Sequence, residues 1–103
     1  MKKLKSGWVE GSVQEFLALS DADMAYIESK RALAAFLRQR RLKKRLTQVE
    51  LAAQLKTSQS RLAKMEAGDP TVSFDLLVQA LFRLGATRHE VASVLKAAPR
   101  RAA

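Results

Sequence analysis

Apolar residues recur along this chain at three- and four-residue intervals, broken by short polar turns, and the pattern predicts five helices. Ser20-Asp21-Ala22-Asp23 places a hydroxyl cap before an acidic third position, which satisfies free N–H groups and suits the helix dipole. The long helix that starts there passes through Tyr26, Ile27, Leu33, Phe36 and Leu37 and ends in the basic stretch Arg38 to Arg45. Thr47-Gln48-Val49-Glu50 is a capping box that opens a short helix to about Leu55. Lys56-Thr57-Ser58 breaks it; Ser58 caps a helix from Gln59 to Ala67, and Gly68 supplies a left-handed stop with Pro70 just beyond. Ser73 caps a fourth helix whose Phe74, Leu77, Ala80, Leu81 and Leu84 share one face, ended by Gly85. A second capping box, Thr87-Arg88-His89-Glu90, opens the fifth, with Val91, Val94, Leu95 and Ala98 at i, i+3, i+4 and i+7. Residues 1 to 19 fit either a short helix or an extended arm, and Pro99 to Ala103 reads as a frayed tail.

Composition strengthens the all-α reading, because helix formers dominate and only 6% of residues are aromatic. At 103 residues the chain accommodates one core. The organisation expected is an N-terminal extension over 1–28, a helical domain over 29–98 and a tail over 99–103. The absence of Cys removes disulfides, thiolate metal sites and a Cys nucleophile, and fits a reducing cytoplasm. The basic start at Met1-Lys2-Lys3 is not followed by an apolar run, since Glu10, Gln14 and Glu15 interrupt it, so neither a secretion signal nor a membrane span is expected.

Charge adds a partner class. The net charge is +9, yet residues 1–28 hold only Lys2, Lys3 and Lys5 against Glu10, Glu15, Asp21, Asp23 and Glu28. The basic excess therefore belongs to the rest of the chain, and points to a polyanion.

The segment Thr47 to Gly68 says which polyanion. Leu51, Leu55, Leu62 and Met65 fall inward, and Ala52 is small where two helices must approach closely. Gln59, Ser60, Arg61 and Lys64 are left on the outer face of the second helix. Gln and Arg can form paired hydrogen bonds with adenine and guanine edges, while Ser and Lys reach bases or phosphates. This arrangement resembles the Xre-type helix-turn-helix family, which includes the phage repressors. The resemblance rests on Thr47-Gln48, Leu51-Ala52, Ser58-Gln59-Ser60 and the close Leu62-x-x-Met65-Glu66-x-Gly68, and extends to Leu37-Arg38-x-x-Arg41, Leu76-Leu77, Ala80-Leu81 and Leu84-Gly85. It implies a compact five-helix, lambda-repressor-like DNA-binding domain. It further implies that Gln48 donates to a phosphate and that Gln59, Ser60, Arg61 and Lys64 are the recognition positions. Ser58, Lys56 and Arg38 complete the expected DNA-binding set. Lys56 stands where the family usually has Gly, so a positive φ there would cost on the order of 1 kcal/mol.

Other features receive plainer readings. The run Arg38 to Arg45 can bind phosphates, pair with a neighbouring molecule or simply end a helix. His89 is a helix-start residue rather than a metal ligand. Glu50 is used by its capping box and Glu66 by a local salt link, which leaves no carboxylate pair for acid–base chemistry; no enzyme and no cofactor are expected. One recognition helix reads few base pairs, so a homodimer on a palindromic operator is expected, with Val91, Val94 and Leu95 as its surface unless they pack on Leu81 and Leu84. The link Asp69-Pro70-x-Val72-Ser73-x-Asp75-Leu76-Leu77, the recognition-helix start and the short N-terminal extension also resemble HigA-type antitoxins, which bind a RelE/HigB-type toxin and repress their own operon. In that case Trp8, Val13, Phe16 and Leu17 in the acidic extension would hold the basic toxin. The alternative is a stand-alone repressor in which the extension covers the protein's own core.

Overall fold

A computed structural model describes residues 18–98. Among these, five helices run in the order α1 (Asp21–Lys43), α2 (Gln48–Leu55), α3 (Gln59–Ala67), α4 (Phe74–Arg83) and α5 (Arg88–Ala97). Each starts at the hydroxyl that the sequence marks for it. Ser20, Thr47 and Thr87 form reciprocal capping boxes with Asp23, Glu50 and Glu90, while Ser58 and Ser73 accept from the N–H groups of Arg61 and Leu76. Each hydroxyl satisfies a donor that the helix itself cannot, an effect of about 1 kcal/mol per cap.

The 23-residue α1 is the spine against which α3, α4 and α5 pack, and it runs unbroken through residue 28, where the extension was expected to end. Leu33, Ala34 and Leu37 bring its buried face to Leu51, Leu62, Met65, Leu77 and Leu81, all in one continuous core. The chain turns from α1 into α2 at Arg45, whose φ of 59° is left-handed. Between α2 and α3, Lys56 adopts φ 57° and ψ 46°, the strained geometry that the missing Gly implied. Thr57 N–H then donates to the Ala52 carbonyl at 2.9 Å and closes the turn. Gly68 ends α3 at φ 72° with no such penalty.

Two expectations need correction. Val91 belongs to the chain's own core, so it is not part of an outer dimer surface; Val94 and Leu95 pack on that core while remaining half-buried. The reason is the tight connection Leu84-Gly85-Ala86, which folds α5 back onto α1 and α4. Glu66 is not engaged in a local link. It is buried and paired with Arg41, 25 residues earlier in the chain. Trp8, Val13, Phe16 and Leu17 lie outside the described residues, as does the 99–103 tail.

Candidate nucleic-acid interface

The α2–turn–α3 unit presents α3 on the surface because only one side of that helix is apolar. Leu62, Met65 and Glu66 face the core, whereas Gln59, Ser60, Arg61 and Lys64 are exposed, together with Ser58 and Lys56. At 3.6 residues per turn, Gln59, Glu66 and Ala67 lie on one flank of α3, Arg61 and Lys64 on the other, and Ser60 between them.

Buried charge anchors the first flank. Arg41 Nε donates to Glu66 Oε2 at 2.6 Å and its Nη2 to Oε1 at 3.0 Å, a two-bond fork, while Nη1 donates to the Leu46 carbonyl at 2.9 Å. Glu66 holds the Arg41 guanidinium above its already high ordinary pKa, chiefly through this hydrogen bond. The same carboxylate accepts from Gln48 Nε2 at 3.1 Å, and Gln48 Oε1 accepts from Gln59 Nε2 at 2.7 Å. A continuous chain of bonds thus runs from α1 through α3 and α2 to the first residue of α3's exposed face. Gln59 is held in place before any ligand arrives, which lowers the entropy lost on binding.

The second flank is open. Ser58, Ser60, Arg61 and Lys64 line a cleft of about 250 Å³ with Thr71 and Val72 of the loop that follows α3. Asp69 braces this loop by accepting from both the N–H and the hydroxyl of Thr71. Those bonds, and then the nearby charges of Lys64 and Lys30, hold its carboxyl below the ordinary aspartate value. Lys30, itself buried, ties the loop to α1 by donating to the Pro70 carbonyl at 3.3 Å.

The basic run divides into distinct environments. Arg41 is buried, and Arg40 reaches Glu90 at 3.1 Å and the Gly85 carbonyl at 3.2 Å, so both serve the fold. Arg38, Lys43, Lys44 and Arg45 are exposed. Of the expected DNA-binding residues, Ser58, Ser60, Arg61 and Lys64 share one cleft, Gln48 and Gln59 share one bond, and Arg38 faces a separate groove beside α3. Sequence reasoning missed the Arg41–Glu66 pair. The available signal was Glu66 itself: it follows Leu62 by four positions on the apolar face, where a charge must find a partner.

Among the described residues no helix is long and apolar enough to cross a membrane. The family model described as Helix-turn-helix domain matches residues 32–94, more than half of the chain, and the chain belongs to this helix-turn-helix family. The match covers the C-terminal part of α1 and all of α2 to α4, and reaches into α5; the first turns of α1 precede it. No curated protein and no solved structure matches the chain.

Proposed function

We propose that this helix-turn-helix chain is a sequence-specific transcriptional regulator of the Xre type, which inserts α3 into the major groove of duplex DNA. The observation that carries the reading is the held Gln59 beside an exposed Ser60, Arg61 and Lys64, on a helix whose other side is locked into the core. A helix about 10–12 Å across suits a major groove about 12 Å wide. Gln59 and Arg61 supply base-edge contacts, Lys64 and the α2 N-terminus at Gln48 supply backbone contacts, and Lys56 and Ser58 add a cation and a hydroxyl at the turn. Binding as a homodimer on a palindrome, with half-sites about one turn apart, gives the specificity that one such helix lacks. Val94 and Leu95 are the half-exposed part of α5 available to it.

The test is a gel-shift series on the promoter of the protein's own operon. Arg61→Ala relaxes base preference at one position, while Lys64→Ala and Gln48→Ala weaken binding to all sequences. Wild-type affinity and preference in all three variants would remove α3 from the groove.

A finer reading makes this regulator an antitoxin that neutralises a basic RelE/HigB-type toxin. It is supported by exposed Asp21 and Asp23 on the first turn of α1, outside the family match, on an otherwise basic molecule. A tagged copy expressed from its native operon would retain a small basic protein through purification. Recovery of the chain alone leaves a stand-alone repressor.

A further inference from the structure

Beside α3, on the flank opposite the loop cleft, a groove of about 260 Å³ opens between that helix and α1. Arg31 and Arg38 line it, with Ala34 and Ala35 as small side chains between them and Ala67 and Gly68 across from them. Seven residues apart, the two arginines stand two turns from each other on one face of α1, about 10 Å along the axis. The stem of Arg31 runs close to Gly68, where a Cβ would meet its Cγ at 3.8 Å. Both arginines are exposed, and neither has a hydrogen-bond or ion-pair partner among the described residues. Glu66 also lines the groove, but its two oxygens already accept two bonds from Arg41 and one from Gln48, so its charge is answered within the fold.

We propose that this groove binds the sugar–phosphate backbone of duplex DNA, with Arg31 and Arg38 as its cations, on the strand opposite the one that meets the Arg61–Lys64–Thr71 cleft. The inference rests on α3 lying in the major groove. A helix in that position has one backbone on each flank, and here each flank carries a cation-lined depression of similar size. Arginine suits the task because its planar fork matches phosphate oxygens in pairs. The Gln59–Gln48–Glu66 bonds run along this same flank but involve neither Arg31 nor Arg38, so the two arginines add affinity through the backbone while base reading stays with α3. The footprint thereby extends from the helix-turn-helix onto α1, and Arg31 joins the DNA-contacting set on structural grounds alone.

The experiment uses the full chain and a fluorescein-labelled duplex enriched from a randomised library by the wild-type protein. Affinity is followed by anisotropy between about 50 and 200 mM NaCl, where the slope of log K against log salt counts phosphates at about 0.9 each. The R31Q/R38Q double variant is expected to lose about 1.8 from that slope while ranking competitor sequences as the wild type does. R31K/R38K, which keeps both charges, retains most of the slope. R88Q/K96Q, the same loss of charge on α5, leaves the slope unchanged. A wild-type slope in R31Q/R38Q overturns the groove assignment alone, as does an equal loss in R88Q/K96Q, which would make the effect one of net charge. Failure of the wild-type protein to enrich or bind any duplex overturns the DNA reading, and this site with it.

Discussion

Arg40 and Arg41 are neighbours in the same basic run, and each bonds a glutamate on another helix, yet the two pairs do different work. Arg41 meets Glu66 at 2.6 Å with side-chain exposures of 10% and 3%; Arg40 meets Glu90 at 3.1 Å with 21% and 41%. The first pair lies out of water, makes a two-bond fork and continues through Gln48 to Gln59. The second fastens the start of α5 to α1 at the surface, where salt and solvent weaken it. A step of one residue around α1 turns the side chain by about 100°, enough to exchange core for rim. Identical chemistry therefore holds the recognition surface in one case and only trims the fold in the other.

Removing one partner of the buried pair is the strongest way to break the contrast. Glu66→Ala leaves an uncompensated guanidinium and is expected to cost about 3–5 kcal/mol in urea-induced unfolding. Replacing both members by apolar residues of similar volume, as in R41M/E66L, is expected to recover most of that loss, because neither charge is then stranded. The recovered protein would still bind DNA poorly, since Gln48 has lost its acceptor and Gln59 its fixed position. Recovery of stability together with wild-type affinity would show that the bonds leading to Gln59 do not matter for binding. Arg41→Lys ranks next: an ammonium cannot reproduce the fork or hold the Leu46 carbonyl at the same time, a loss of about 1.5–3 kcal/mol by the same measurement. A lysine variant as stable as the wild type would mean that Glu66 requires only a nearby charge.

The difference between the pairs also marks what can be read from the sequence. Helix starts were legible at all five hydroxyls because a cap acts within three residues, and the apolar spacing gave the core faces from Leu33 to Leu84. The strain at Lys56 was legible as well, since a turn that needs a left-handed residue constrains whichever residue stands there. Partners were not. The four-residue step from Leu37 puts Arg41, rather than Arg40 or Arg38, on the buried face of α1, but nothing local says that it meets Glu66 or that Arg40 meets Glu90; the packing of α1 against three other helices decides. Val91 was ambiguous for the same reason, because an apolar stripe on α5 reads alike whether it meets a second copy or the chain's own core, where Val91 in fact lies.

The surface pair gives the smallest effect, and its value lies in sign rather than size. The Glu90 carboxyl is held below the ordinary glutamate value first by the Thr87 N–H and then by Arg40. A carboxyl whose folded pKa is depressed adds stability above the unfolded value, about 4.3, and that stability is lost as pH falls through it toward the lower folded value. Glu90→Gln keeps the capping geometry but removes the charge, so its destabilisation should be present at neutral pH and fade on acidification. Salt divides the two causes. The Arg40 contribution is screened when the Debye length shrinks to about 3 Å near 1 M NaCl, whereas the bond from the Thr87 N–H acts at contact and persists. Arg40→Gln should accordingly behave as the salt-sensitive portion of Glu90→Gln, and thermal melts of both variants at pH 7 and pH 3, with and without salt, would show it. A destabilisation by Glu90→Gln that matches Glu66→Ala, or that does not diminish in acid, would place the surface pair in the same class as the buried one and remove the distinction between Arg40 and Arg41.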